Sequence, residues 1–223
     1  MKRLLILTTL SCSLSALTIN FSKSFDVEIK PDTLQASINI AVKKPTQDAV
    51  VTSLSRISNF VDTEEDIKKK GGNYNVRPQF NYENNKRYKD GYTGNMYYNF
   101  TSKDSDKLNK FLSNLYEFKG PKGEEISLNS INWIMSKEQK TGKVDALRLE
   151  AIKWSSAYAK KLSSDISSSC SVKSILFSSI NYFQPKPMMR EEMVMMDKAS
   201  LAPTPIQDKQ KMSVNPTITI ECK

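Results

Sequence analysis

Five methionines stand within nine positions of the sequence, in the string MMREEMVMM at residues 188–196. A thioether sulfur is a soft ligand that suits Cu(I), and several such sulfurs can hold the ion without histidine. The candidate ligands are Met188, Met189, Met193, Met195 and Met196. Methionine is also a flexible apolar side chain suited to partner contacts, and it oxidises reversibly to the sulfoxide. The string therefore predicts a contact or mobile loop, which we favour, with an oxidant-responsive loop and a Cu(I) site as alternatives.

Most familiar catalytic arrangements are excluded by composition. The chain has no histidine, which excludes Ser-His-Asp and Cys-His catalysis and every histidine-containing metal site. Its seven glycines form no phosphate-binding loop,. Paired carboxylates could still act as acid and base, as in glycosidases. The candidates are Glu64-Glu65-Asp66, Glu124-Glu125 and Glu191-Glu192. Because these groups fall near predicted helix ends or loops, solvated charge explains them, and we predict a non-enzymatic protein without a cofactor, with a carboxylate-dependent hydrolase as the alternative.

The first sixteen residues have the three parts of a secretory signal. Met1-Lys2-Arg3 is followed by the apolar run Leu4–Leu7 and by a small-residue segment ending at Ala16,. About ten apolar residues are too few to cross a bilayer, and Cys12 is a poor match to a lipoprotein signal. We predict a signal peptide at residues 1–16 and a mature domain at 17–223, located in the periplasm, with outer-membrane association as an alternative.

The chain is basic, with 33 Lys and Arg against 24 Asp and Glu and a net charge of +9. Removing the charges of Lys2 and Arg3 from +9 leaves +7 for the mature chain. For an exported protein, a basic surface favours anionic lipid head groups, acidic polymers or a protein partner over nucleic acid. A solvated surface that keeps the protein soluble remains the simplest interpretation.

Cys170 and Cys222 are the two cysteines left once Cys12 is removed with the signal. An even number in an oxidising compartment suggests a disulfide, with two free buried thiols as the alternative. Alternation predicts strands from Val172 to Phe183 and from Val214 to Cys222. If these strands pair antiparallel, the two cysteines lie close together. Residues 184–213 then form a long connection that holds four prolines and the methionine string.

Hydrophobic periodicity predicts the other elements. Apolar residues alternate in 25–29 and again in 34–42, which we interpret as a hairpin, and in 74–82, 88–100 and 126–136,. Helical spacing marks a first helix from Thr46 to near Gly71-Gly72 and a second from Ser102 or Asp104 to Gly120-Pro121. A third helix has a stripe of Leu147, Ala151, Trp154, Tyr158 and Leu162,. The expected fold class is a single α+β domain with three helices and a mostly antiparallel sheet.

Aromatic residues recur with period two in the strands on either side of Asn84-Asn85. Period-two aromatics suit the buried face of a sheet, so we predict a core role, with a ligand pocket as the alternative. The set is Tyr74, Phe80, Tyr82, Tyr92 and Tyr98. The return strand is expected to carry Tyr88 on the same face as Tyr92. Pro78 cannot donate a ladder hydrogen bond, so it predicts an edge strand or a bulge.

The order of these elements and several strings resemble the SIMPL family of bacterial envelope proteins. The resemblance rests on VEIKPD at 27–32, NYNVRPQFNY at 73–82, Gly91-Tyr92, NSINWI at 129–134 and the alanine-spaced helix at 144–162. It extends over roughly residues 18–223. It implies an exported α+β domain, homo-oligomeric rings in some members and a link to oxidative-stress defence, and no catalytic residues are established for the family.

The chain departs from the family pattern at three points. It lacks the glycines that are common in the first strand, and its cysteines and its methionine string are its own. These departures bear on the oligomeric state more than on the fold. From the predicted export, the absence of a catalytic arrangement and the resemblance, we expect an envelope protein that self-associates and contributes to oxidative or envelope stress tolerance.

Overall fold

The computed structural model describes residues 17–120, 123–177, 180–183 and 204–223. The elements follow in the order β1 (Leu17–Ser22), β2 (Phe25–Ile29), β3 (Thr33–Lys44), α1 (Gln47–Thr63), β4 (Lys68–Glu83), β5 (Lys86–Ser102), α2 (Ser105–Tyr116), β6 (Glu124–Ile134), α3 (Lys137–Asp165), β7 (Cys170–Leu176), β8 (Ile180–Phe183), β9 (Gln210–Val214) and β10 (Thr217–Cys222). Three helices and antiparallel sheets confirm the predicted α+β fold. Over these ranges, no helix has the length and apolar character of a membrane span.

The chain divides into two compact units. The described residues of the first, the two-sheet unit, lie within Met1–Ile29, Lys140–Pro185 and Gln210–Lys223. Those of the second, the hairpin unit, lie within Lys30–Gln139 and Lys186–Lys209.

The hairpin unit is built on an antiparallel sheet in the order β4-β5-β3-β6, on which α1 and α2 pack. Helix α1 begins after Thr46, whose hydroxyl oxygen accepts a hydrogen bond from the amide of Ala49 at 3.2 Å,. It buries Val50, Leu54, Ile57 and Val61, as the spacing predicts. Helix α2 begins after Asp104, which accepts from the amides of Asp106 and Lys107, and it buries the predicted Leu108, Phe111, Leu112 and Leu115. These side chains and the inward face of the sheet form one core.

The end predicted for the first helix is wrong. Helix α1 ends at Thr63, and Gly71 and Gly72 belong to β4 instead. A β-carbon on Gly71 would lie 2.2 Å from the carbonyl oxygen of Tyr97, and Gly71 has a φ of 121°. The two glycines form a bulge between the pairs Gly71–Tyr98 and Tyr74–Met96,. Glycine is therefore needed here for a strand irregularity, which the sequence pattern does not distinguish from a helix end.

The two-sheet unit contains two three-stranded antiparallel sheets, ordered β1-β10-β7 and β2-β9-β8. The side chain of Trp154 on α3 packs edge-on against Phe21 and Phe25, at centroid distances of 6.0 and 5.9 Å. The fully buried α3 positions in this unit are Val144, Leu147, Ala151, Ser155 and Ala159. The predicted stripe is confirmed except at one position: Leu147 and Ala151 are buried and Trp154 and Leu162 pack partly buried against the core, whereas Tyr158 is 36 % exposed.

Three predicted strand arrangements are wrong. Strands β2 and β3 do not form a hairpin, because β2 pairs with β9 while β3 lies between β5 and β6. The strand predicted at 172–183 is divided into β7 and β8, which lie in different sheets. The last predicted strand, Val214 to Cys222, corresponds to β10, and β9 (Gln210–Val214) lies at the end of the connection predicted at 184–213. Strand β1 is absent from the prediction. Period-two patterns identify strands but not their partners, because partners depend on long-range packing.

Candidate functional site

The methionine string lies outside the described residues. Met188, Met189, Met193, Met195 and Met196 therefore keep their three alternative roles as predictions, and Glu191-Glu192 lies in the same interval. The cysteines are described: Cys170 and Cys222 stand opposite each other in the β7–β10 pairing and form a disulfide. Next to them, the amides and carbonyls of Ser169 and Lys223 exchange two 2.9 Å hydrogen bonds. The disulfide thus joins two strands that already pair.

Glu124 is the most buried of the candidate carboxylates in the described part of the chain, with 7 % of its surface exposed. Lys44 contacts its carboxylate at 2.7 Å and the Ser53 hydroxyl donates to it at 3.1 Å. Burial acts to raise the pKa of Glu124, but the hydrogen bonds from Lys44 and Ser53 outweigh it and lower the pKa. This environment favours the ionised form, which suits a structural ion pair better than a general acid.

Of the segment Glu64-Glu65-Asp66, Asp66 lines a groove of about 630 Å³ in the hairpin unit. Asp66 pairs with Lys107 at 2.5 Å, and this hydrogen bond raises the pKa of Lys107. The groove is also lined by Lys68, Lys103 and Glu138. Its positive and negative side chains are about equal in number, and in the described residues no three acidic or cysteine side chains gather as a metal site would require.

Asp32 has a structural role at the start of α3. Its carboxylate accepts hydrogen bonds from the amide and the hydroxyl of Ser136, both at 2.8 Å, and the Ser136 hydroxyl oxygen accepts from the amide of Gln139. Burial acts to raise the pKa of Asp32, but the two hydrogen bonds from Ser136 outweigh it and lower the pKa. The Lys30-Pro31-Asp32 segment, interpreted as a hairpin turn, is therefore a helix-capping segment.

Strands β4 and β5 extend well beyond the four-stranded sheet. Strand β3 pairs with β5 from Leu34 opposite Ser102 to Lys44 opposite Tyr92, and beyond Tyr92 β5 pairs only with β4. We call residues 80–89 the outer arm. Its turn residues Asn84 and Asn85 have φ angles of 50° and 60°, which suit a two-residue hairpin loop of type I′,. The turn predicted at Asn84-Asn85 is confirmed.

A bulge at Asp90-Gly91 separates the outer arm from the sheet. Pro78 stands opposite Tyr92, but Phe80 stands opposite Lys89, so β5 carries one more residue than β4 between these pairs,. Gly91 has a φ of 86°, and a β-carbon there would lie 2.5 Å from the carbonyl oxygen of Lys44. Because of the extra residue, side chains of β5 before and after the bulge point to opposite faces for the same sequence alternation. Tyr88 therefore lies on the face opposite Tyr92, and the prediction that they share a face is wrong.

The core role predicted for the aromatic set is correct for Tyr98 and Tyr92 and wrong for the other three residues. Tyr98 is 5 % exposed and Tyr92 packs partly buried against the core, whereas Tyr74, Phe80 and Tyr82 are 52 %, 37 % and 73 % exposed. The inner part of the hairpin lies under α1, where a β-carbon on Gly94 would meet Val50 and Leu54. The outer part has no such cover among the described residues. The same alternation therefore leads from core to surface within one hairpin.

On the face of Phe80, the outer arm alternates aromatic rings and cations. The Lys89 ammonium lies 3.9 Å from the centroid of the Tyr92 ring, and the Arg87 guanidinium lies 3.7 Å from that of Phe80. Tyr82 stands directly opposite Arg87 at the end of the row. Cation–π contacts of this kind hold the side chains in order while each cation keeps its charge. The ten residues 80–89 comprise three aromatics, three basic residues, three asparagines and one glutamate.

We therefore take the outer arm as the candidate functional site. It can bind by contact, through rings and cations. Sequence reasoning assigned its aromatics to the core. A signal was present in the three basic residues of 86–89, because a strand end with that many charges does not enter a core.

Comparison with known proteins identifies a family but little else. The model of the SIMPL family, described as "Protein of unknown function (DUF541)", matches residues 19–221. No curated protein matches the chain. Among solved structures, the chain is similar to "De novo designed protein Foldit4" at 11 % identity and a TM-score of 0.26, over 44 % of this chain and 97 % of that one. A similarity that low carries no argument.

Proposed function

Given that the chain belongs to the SIMPL family, we propose that it is an exported, non-enzymatic envelope protein that self-associates and acts through surface contacts. The proposal rests on the location of the exposed aromatic side chains. Five of the twelve large hydrophobic side chains that are exposed in the described residues lie in β4 and β5. They are Tyr74, Phe80, Tyr82, Tyr88 and Tyr97. Three of them, Phe80, Tyr82 and Tyr88, lie in the outer arm, and exposed apolar surface of this kind favours binding to another surface,.

Self-association is assigned to a second surface, on α3. Leu149 and Ile152 are 52 % and 45 % exposed and, being three residues apart, share one face of the helix,. The guanidinium of Arg148 lies 5.9 Å from the centroid of Phe177, which adds a ring beside that face. We call Leu149, Ile152 and Phe177 the helix patch. It suits a like copy better than the basic outer arm does, because two basic surfaces of the same chain repel each other through their charges,.

The solution mass of residues 17–223 tests self-association. Light scattering is expected to give more than one protomer for the wild-type chain and a monomer for the double variant Leu149→Ser with Ile152→Ser. The matched control is Ile206→Ser, because Ile206 is 85 % exposed but lies away from α3 in the sequence. A wild-type monomer, or equal masses for the helix-patch variant and the wild type, contradicts this assignment.

The contribution to oxidative or envelope stress tolerance is supported by the family resemblance and by the methionine string. Replacing Met188, Met189, Met193, Met195 and Met196 by Leu keeps apolar volume but removes the oxidisable sulfur. Cells carrying this variant are expected to survive hypochlorite less well than cells carrying the wild-type protein. Equal survival, at equal protein levels, contradicts an oxidant-responsive role.

The same variant separates the copper alternative from the contact role. A Cu(I) site predicts that competition titration with a Cu(I) chelator gives much weaker binding for the variant than for the wild type. Equal affinities remove the copper function.

Export is tested by fractionation and N-terminal sequencing. We expect the protein in the periplasmic fraction with residue 17 or a close neighbour at its start. An uncleaved chain that remains in the cytoplasm would contradict the envelope function.

A further inference from the structure

The outer arm has the composition of a surface that lies at a membrane interface. Phe80, Tyr82 and Tyr88 supply rings, and Tyr carries a polar end that stays in contact with water or head groups,. Lys and Arg next to such rings can extend their charges toward phosphates while their stems cover apolar surface. Tyr and basic residues are enriched at the head-group level of membrane proteins for these reasons. The outer arm contains no aliphatic side chain.

The charge of the outer arm is positive. The ten residues 80–89 contain one acidic residue, Glu83, and three basic residues, Lys86, Arg87 and Lys89. The carboxylate of Asp90, the next residue along the chain, is paired with other groups. Lys43 contacts it at 2.6 Å and Asn81 donates a hydrogen bond to it at 2.7 Å. The outer arm thus presents net positive charge that a neutral or basic partner does not compensate.

The arrangement of the rings distinguishes between anionic partners. Tyr82, at 73 % exposed, and Tyr88, at 45 %, lie on opposite faces near the turn. A partner that packs against a single face of the hairpin covers only one of them. When the end of the hairpin inserts into a membrane interface, the interface surrounds both Tyr82 and Tyr88. The stacked Arg87 and Phe80 then place a cation beside a ring at similar depth.

We propose that the outer arm binds the anionic head groups of a phospholipid bilayer, with Tyr82 and Tyr88 at the interface and Lys86, Arg87 and Lys89 against the phosphates. This inference rests on the proposed function, because it names the partner of the exposed surface that function uses. Binding by one arm is weak, since three basic residues attract an anionic surface only moderately.

Vesicle sedimentation tests the proposal. The chain of residues 17–223 is mixed with vesicles of phosphatidylcholine alone or of equal parts phosphatidylcholine and phosphatidylglycerol. We expect binding to the anionic vesicles at least tenfold stronger than to the neutral ones, and weaker as salt rises, because salt screens exposed charges. Equal binding to both vesicles overturns the proposal.

Two matched pairs of variants place the binding on the outer arm. Arg87→Gln with Lys89→Gln removes two charges from the outer arm, and Lys68→Gln with Lys70→Gln removes two from the opposite end of the same hairpin. The outer-arm variant is expected to weaken binding by about tenfold or more, because each charge near the surface contributes about fivefold. The variant at the opposite end is expected to weaken binding much less. Tyr82→Ser is expected to weaken binding more than Tyr97→Ser, although both tyrosines are exposed. Equal effects within either pair overturn the proposal.

A spectroscopic readout keeps the test valid if a variant folds poorly. Tyr82→Trp adds an indole at the end of the ring row, and its emission is expected to shift to shorter wavelength on anionic vesicles, whereas Tyr97→Trp does not respond. If soluble polyphosphate produces the same shift, the outer arm recognises charge alone and the bilayer proposal fails. The solution mass without vesicles tests self-association separately, so failure of one result leaves the other in place.

Discussion

The inner and outer halves of the β4–β5 hairpin share one sequence pattern but have different environments. In the inner half, Met96, Tyr98 and Phe100 point into a core that α1 and α2 complete, and each is at most 5 % exposed. In the outer arm, Phe80 and Tyr82 continue the same face but are 37 % and 73 % exposed. Alternation specifies which face a side chain occupies, whereas a second layer decides whether that face is buried.

One bulge marks the point where the side chains of the hairpin change from buried to exposed. The Asp90-Gly91 bulge lies beside the last residue of β3, Lys44, which pairs with Tyr92. Beyond it the hairpin lacks both a third strand and, in the described residues, a covering helix. A two-stranded ribbon is only marginally stable by itself in water. The cation–π contacts of Arg87 and Lys89 are thus the local contribution that orders the outer arm.

The largest contrast is expected from removing one ring in each half. Phe100→Ala empties a site that is 0 % exposed and packed against Phe111 at 4.8 Å, so it should lower the free energy of unfolding by about 3–5 kcal/mol,. Phe80→Ala should lower it by less than about 1 kcal/mol. Urea denaturation measures both. Similar losses would show that the outer arm is as buried as the core.

A smaller effect is expected from adding volume under α1. A β-carbon on Gly94 would lie 2.5 Å from Val50 Cγ1, so Gly94→Val should cost about 1–3 kcal/mol by forcing the helix outward,. The control is Gly142→Ala on α3, where nothing lies within 4 Å and the change should add up to about 1 kcal/mol,. Thermal unfolding of the two variants gives the comparison. No loss for Gly94→Val would mean that α1 does not confine the inner half.

The Lys44–Glu124 ion pair at the base of the hairpin predicts a pH dependence. Its hydrogen bonds hold the pKa of Glu124 below the ordinary value of 4.5. The pair therefore contributes stability that is fully present above pH 4.5 and is lost as the pH falls through the folded-state pKa,. Melting temperatures between pH 6 and pH 3 should fall less for Glu124→Gln than for the wild type. The exposed neighbour Glu125→Gln should follow the wild type, and parallel curves for all three proteins would remove the argument.

The smallest effect on stability is expected at the end of the outer arm. Tyr82→Ser exposes little that was buried, so the free energy of unfolding should change by less than about 0.5 kcal/mol,. The same variant should lose vesicle binding, which separates the contact role of Tyr82 from any structural role. A large loss of stability would instead place Tyr82 in a packed interface.

The sequence was sufficient for the buried faces of two helices and for the disulfide. Helical spacing identified the buried faces of α1 and α2, and antiparallel pairing with two cysteines led to Cys170 and Cys222, which the structure joins. The partners of β2 and β3 could not be predicted, because Phe25–Ile29 pairs with Gln210–Val214 from the far side of the sequence. The exposure of Phe80 and Tyr82 was missed because it depends on where α1 stops covering the sheet. The candidate methionine ligands lie outside the described residues and stay predictions.

The position of β9 and β10 has a consequence for how the two-sheet unit forms. Each is the middle strand of its sheet, and their partners β1 and β2 come at the opposite end of the sequence, with Leu17 opposite Cys222. Neither sheet can assemble while the chain is still emerging in N-to-C order, because its centre is made last. Such distant pairings also slow folding. During synthesis and any passage across a membrane, β1 and β2 therefore travel as unpaired segments, exposed to chaperones and proteases until β9 and β10 follow.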